Sequence, residues 1–258
     1  MIEINNLTKE FILSKQQRKE LNTTDSKALA VDDISFTCKP GRVFSLLGPN
    51  GAGKTTTLRM ISTIFKPTSG SINIAGIDAI SQSREARKKI GFLTGSTGLY
   101  ARLTPNELVK YFADLYEVPK DEFKERRESL YTLLDMHSFQ NKRIGKLSTG
   151  MKQKVSICRT MIHDPEVVVF DEPTSGLDVI TAENIIELIR SCKKEGKTVI
   201  FSSHIMSEVD LLCDDLAIIH EGNMLFNGEM SEFKSQMKSD NLTAEFIRIV
   251  KSSNLVEA

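Results

Sequence analysis

Residues 48–55 read GPNGAGKT, the spacing Gly-x-x-x-x-Gly-Lys-Ser/Thr of a phosphate-binding loop. The chemistry follows from the residue types. Glycines at 48, 51 and 53 free the backbone to wrap an anion, so that successive N–H groups point inward. A helix opening at Gly53 adds its positive end to the same place. Lys54 can then reach the β- and γ-phosphates of a nucleotide, and the Thr55 hydroxyl can ligate Mg²⁺. The flanks agree with this reading. RVFSLL (42–47) is an apolar run suited to a strand buried on both faces, and the residues from Gly53 to Ile64 read as a helix.

A second apolar run, VVVF (167–170), ends in Asp171 and Glu172. A carboxylate at the carboxyl end of such a strand lies where open α/β sheets bind ligands. Asp171 suits a Mg²⁺ shell and Glu172 suits a general base that polarises an attacking water. Standing alone, the pair reads equally as a solvated strand edge; the phosphate loop upstream gives it a partner. A third stretch, KLSTGMKQKVSICRT (146–160), begins a helix at Ser148, and Gly150 permits close backbone approach. It offers a second anion site, or an ordinary N-cap if taken by itself. His204 closes FSSH (201–204), after a third apolar run.

Around these residues, strand-like and helix-like stretches alternate along the chain. Strands are expected at 2–8, 29–38, 42–47, 71–76, 166–171, 197–203 and 216–220. Helices are expected at 53–64, 122–136, 148–163 and 182–195, and another opens at Thr104 with a capping-box spacing to Glu107. Such alternation implies an α/β fold with a mostly parallel sheet. Residues 12–27 read as a polar link, and a short amphipathic helix is expected around 244–250. Lysine plus arginine balance aspartate plus glutamate at 34 each, which argues against a domain that grips nucleic acid by bulk charge. The four cysteines are widely separated, without a Cys-x-x-Cys pair, so reduced cytosolic thiols are expected rather than zinc or disulfides. No apolar run reaches the roughly 18 residues of a membrane span.

Taken in order, the phosphate loop, LSTGMKQ, VVVFDEPTSGLD and FSSH resemble the ATP-binding subunit of an ATP-binding-cassette (ABC) transporter over about residues 1–230. The resemblance implies a P-loop NTPase fold, with a RecA-like mostly parallel sheet, an antiparallel β-subdomain and an inserted all-helical subdomain. The implied division is 1–94 with 161–235 as catalytic core, 95–160 as the helical insert and 236–258 as a C-terminal extension. ATP and Mg²⁺ are the implied ligands. Contacts to the nucleotide fall on Gly48, Pro49, Asn50, Gly51, Ala52, Gly53, Lys54, Thr55 and Thr56, with Phe11 stacked on the adenine. Phe11 near a strand end is also ordinary core. Thr55 and Asp171 are the implied metal ligands, and Glu172, His204 and Lys54 the catalytic groups. In the family two subunits pack head to tail, so Ser148 and Gly150 would contact the nucleotide of a second copy or of a paralogous subunit. Ser175 to Asp178 would form the loop between the two sites. Integral membrane permeases are the further implied partners, with the ATPase peripheral on the cytoplasmic face and no nucleic acid bound.

Two departures from the family pattern refine this. Gly95 stands where most members carry a glutamine, and Thr149 and Met151 stand where the signature has Gly and Gln. Both features, in FLTGSTGLY and STGMKQK, are similar to the ATPase subunit of ABC-type sodium exporters. Ser96 or Thr97 is expected to replace the missing amide. The alternatives are a drug, lipid or peptide exporter, or a soluble ABC ATPase outside transport.

Overall fold

A computed structural model describes residues 1–20, 22–94 and 98–254. Two sheets carry the architecture. The first is antiparallel, with strands β1 (Ile2–Ile12), β2 (Lys27–Cys38), β4 (Ser69–Ile74) and β5 (Ile77–Asp78) in the order β2-β1-β4-β5. The second holds β3 (Val43–Leu47), β6 (Ile90–Thr94), β7 (Val167–Asp171), β8 (Thr198–Ser203), β9 (Asp215–His220) and β10 (Asn223–Glu229). Their order is β10-β9-β3-β8-β7-β6, parallel except for β10 at the edge. This is the expected P-loop NTPase class. Strands β3, β7 and β8 are buried at every position, which is why they read as apolar runs broken only by hydroxyl residues and the closing Asp171, rather than as alternating ones.

The two faces of the second sheet feed separate cores. Val167, Val169, Phe44, Leu46 and Ile200 face the first sheet and α2 (Lys54–Ile61). Val168, Phe170, Val43, Leu47 and Phe201 face the other way. There they pack with α6 (Thr149–Met161) and α7 (Val179–Lys194), and the same core runs on into α4 (Pro105–Leu115) and α5 (Lys120–Leu133). The helices α4 to α6 lie in the chain between β6 and β7, whose register pairs Thr94 with Asp171. The chain therefore enters the helical segment directly beside the carboxylate.

The capping box expected at α4 is present. Glu107 N–H donates to Thr104 Oγ1 at 3.2 Å, and Thr104 N–H to Glu107 Oε2 at 2.8 Å. Several expected bounds shift. The helix after the phosphate loop stops at Ile61 because Thr63 takes the left-handed conformation, φ 58°. α5 ends at Leu133, two residues before Asp135 at φ 49°. The polar link at 12–27 holds a short helix, α1 (Lys15–Glu20), between strands longer than expected. α3 (Ser83–Lys88) precedes β6, and α8 (Met206–Leu212) and α9 (Met230–Gln236) flank β9 and β10. The terminal helix, α10 (Leu242–Asn254), is longer than expected and buries Glu245, which accepts from the Arg248 guanidinium at 2.6 Å.

Candidate active site

The phosphate loop joins β3 to α2 and is shaped by what its glycines touch. A Cβ at Gly48 would lie 2.2 Å from the carbonyl oxygen of Ile219 on the neighbouring strand. Gly53 stands at φ 106°, and a Cβ there would lie 2.5 Å from Ala30 O. No other residue type fits either position without moving backbone. Gly53 starts α2 without a side-chain cap, so the first N–H groups of the helix remain for a ligand.

Lys54, only 4% exposed, folds back over this loop. Its Nζ donates to Gly48 O at 2.8 Å and to Pro49 O at 3.0 Å, and lies 3.7 Å from Glu172 Oε1. Burial pulls the ammonium below its ordinary value, while Glu172 and Asp171 oppose that shift. Thr55, one residue on, donates to Asp171 Oδ1 at 2.9 Å. Two oxygen donors thus meet at the mouth of the loop, a donor type that suits a hard dication. The cradle closed to any Cβ and the uncapped helix end fit a phosphate equally well.

Glu172 follows β7 at φ 46°, a left-handed conformation that carries strain in a non-glycine residue. Its Oε2 is 3.4 Å from His204 Nδ1 at the end of β8. Lys54, Thr55, Asp171, Glu172 and His204 are brought together by three adjacent strands. Asn50, Thr55, Arg59, Thr94, Asp171, Glu172 and Ser175 line a cleft of about 430 Å³ there.

Ser148 and Gly150 are not among the residues lining that cleft. Ser148 caps α6, accepting from Met151 N–H at 3.2 Å, and is exposed. Gly150 faces the loop before α7: a Cβ on it would lie 3.0 Å from Thr181 Oγ1 and 3.5 Å from Asp178 Oδ2. Asp178 caps α7, accepting Thr181 N–H at 3.0 Å and its hydroxyl at 2.8 Å. Phe11 lies on β1, its ring edge-on to Phe65 at 5.5 Å with the Lys9 ammonium 5.0 Å away. It pairs with Ala28, two residues before the Ala30 carbonyl that abuts Gly53. Thr56, partly buried, is on the first turn of α2. Gly95, Ser96 and Thr97 lie outside the described residues.

Three positioning residues escaped the sequence reading. Ser202, fully buried, donates to Asp171 Oδ1 at 2.9 Å and accepts Glu172 N–H at 3.0 Å. Glu208 accepts from Thr174 Oγ1 at 2.6 Å and Ser203 Oγ at 2.9 Å, tying the loops after β7 and β8 together. Gln153, buried on α6, reaches Pro173 O at 3.5 Å. The signal for Ser202 is a pair of hydroxyl residues, Ser202 and Ser203, closing a strand with an apolar centre.

The loop-and-carboxylate site on this sheet defines a nucleotide-binding ATPase of the P-loop type. The sequence model of the ABC transporter family matches residues 31–175, and the chain belongs to that family as an ATP-binding subunit. It is 43% identical over 219 residues to the ABC transporter ATP-binding protein NatA of Bacillus subtilis, covering 84% of this chain and 89% of that one. It is 40% identical over 197 residues to the bacitracin transport ATP-binding protein BcrA of Bacillus licheniformis, covering 76% and 63%. Among solved structures, a dimeric ATP-binding cassette in a post-hydrolysis state, bound to ADP and Pi, superposes with a TM-score of 0.76 at 25% identity, covering 89% of this chain and 99% of that one. No described helix is long and apolar enough to cross a membrane.

Proposed function

We propose that this chain binds Mg·ATP in the cleft between the phosphate loop and β7, and hydrolyses it to drive export through separate membrane permeases. The linkage of Lys54 and His204 to Glu172, and of Thr55 to Asp171, at the mouth of the phosphate loop carries the reading. Backbone N–H groups of residues 48–55 hold the phosphates, with the side chain of Thr56 and the Phe11 ring completing the nucleotide contacts. Lys54 leaves its loop carbonyls to pair with the β- and γ-phosphates. Thr55 and Asp171 would hold Mg²⁺, which when bound neutralises charge on the phosphates. Glu172, placed by its strained turn and by Ser202, orients the attacking water and takes its proton. His204 contacts the γ-phosphate and fixes the Glu172 carboxylate. Water oxygen bonds to the γ-phosphorus as the bond to ADP breaks, so positioning and charge supply the catalysis.

Two copies close head to tail around ATP, each offering Ser148 and Gly150 to the other's nucleotide. The exposure of Ser148 away from its own cleft supports this, as does the dimeric state of the similar cassette. Residues 95–160 act as the helical insert between core segments 1–94 and 161–235, followed by the extension 236–258. The chain works at the cytoplasmic face of the membrane. Sodium efflux is the substrate reading favoured by the FLTGSTGLY and STGMKQK stretches, with Ser96 or Thr97 replacing the usual glutamine. The likeness to BcrA supports a drug exporter as the second reading. Glu172→Gln should bind ATP with wild-type affinity and release no phosphate; retained hydrolysis would remove Glu172 as the base. Ion flux through the reconstituted chain and its permease separates sodium from a drug.

A further inference from the structure

A run of cations adjoins Ser148. The 3₁₀ turn Ile144–Lys146 is pinned to the chain before α4: Ile144 N–H donates to Leu103 O at 2.8 Å and Gly145 N–H to Ala101 O at 2.9 Å. This clamp sets the backbone around Arg102 against the turn that follows Arg143. The approach is close, since a Cβ on Gly145 would lie 3.1 Å from Ala101 O. Ile144 and Leu147 are buried and anchor the turn, so Lys142, Arg143 and Lys146 are left on the outside. The turn then runs straight into the Ser148 cap.

Ion pairs of the helical segment use other residues: Lys110–Asp114, Lys124–Asp121, Arg126–Glu122 and Lys154–Asp135. Among the described residues, Arg102, Lys142, Arg143 and Lys146 have no carboxylate within ion-pair distance. Glu107 feels Arg143, but its carboxylate is held in the Thr104 cap. With 34 basic and 34 acidic residues in the whole chain, this local excess is not a general basicity. At the cleft, Asp171 and Glu172 are offset by Arg59 and Lys54, so it is a bound triphosphate that makes that surface anionic.

We propose that Arg102, Lys142, Arg143 and Lys146 form an electrostatic rim that docks the triphosphate-loaded cleft of a second copy of the chain. The inference rests on the ATP-dependent dimer proposed above. It adds residues that neither the phosphate loop nor the signature supplies. The rim attracts the loaded cleft before Ser148 makes contact, and it attracts an empty cleft less, so closure becomes selective for nucleotide charge. The apolar residues of the turn point inward, which leaves that turn no anchor for a bilayer and favours a protein-borne anion.

The test uses the full chain carrying Glu172→Gln, with ATP-driven dimerisation followed by sedimentation at low and high salt. Adding Arg143→Glu and Lys146→Glu should weaken the dimer by about tenfold or more and flatten its salt dependence. ATP binding to the isolated chain should stay unchanged. Arg143→Lys with Lys146→Arg should dimerise as the parent does, which separates charge from misfolding. A charge-reversed chain that dimerises with parental affinity and salt dependence overturns the rim while leaving the dimer intact. A parent that stays monomeric in ATP overturns the dimer and the rim together. Normal dimerisation with lost binding to phosphatidylserine vesicles also overturns it, and reassigns the cations to a membrane.

Discussion

Ser202 holds Asp171: its hydroxyl donates to the carboxylate at 2.9 Å from the adjacent strand, and the same oxygen accepts Glu172 N–H at 3.0 Å. One buried side chain thus fixes both carboxylate residues. Ser202→Ala leaves a buried amide and a carboxylate lone pair unpaired, costing about 1–3 kcal/mol of stability. Hydrolysis should slow while ATP affinity changes little, because the phosphate loop is untouched. Urea denaturation and steady-state phosphate release check both halves; unchanged turnover would reduce Ser202 to packing.

Lys54→Ala removes the cation that the loop carbonyls of Gly48 and Pro49 hold in readiness. ATP affinity should fall by about tenfold or more, the scale of a lost charge-assisted contact. Lys54→Arg should not rescue it, because a planar guanidinium cannot repeat the compact contacts of Nζ to Gly48 O and Pro49 O. Equilibrium ATP titration of both variants is the measurement.

Gly48→Ala and Gly51→Ala should differ sharply. The first drives a methyl to 2.2 Å from a strand carbonyl, whereas Gly51 at φ 84° has open space around it. Gly51→Ala therefore carries only backbone strain, about 1–3 kcal/mol. Gly48→Ala must move the loop or β9 and should also lose nucleotide binding. Denaturation paired with ATP titration distinguishes them.

His163 gives the fold a pH dependence. Burial pushes its imidazole down from 6.5 to about 4. The ring stacks on Tyr116 at 3.8 Å, and Nε2 lies 3.1 Å from Ile90 O, while Nδ1 is buried without a partner among the described residues. Asp164, Arg126 and Lys197 are the charged groups that act on it. A depressed folded value means that the unfolded chain takes the proton first. Stability is then full above pH 6.5 and is lost as pH falls toward 4, by about 3 kcal/mol. His163→Gln should flatten that window in denaturation curves taken across it.

Much of the site was legible in the chain itself. The phosphate loop, Asp171 and Glu172 are contiguous with the strands that carry them, so spacing and apolar runs locate them. The capping box at Thr104 was legible for the same reason. Helix ends at Ile61 and Leu133 were not, because left-handed residues at Thr63 and Asp135 stop those helices, and neither is a glycine. Ser202, Glu208 and Gln153 act across elements remote in sequence, and only their partners reveal them.

The sequence by itself determined the chemistry on offer: a glycine-lined anion cradle, a lysine, a threonine and two carboxylates at fixed local spacings. Local spacing suffices there because each group lies within a few residues of the strand end that presents it. Only the folded chain lays β3, β8 and β7 side by side, which brings Lys54 and His204 to either side of Glu172 and leaves Ser148 out of the cleft lining. Strand order follows from which apolar faces can be buried together, a property of the whole chain that no short stretch contains.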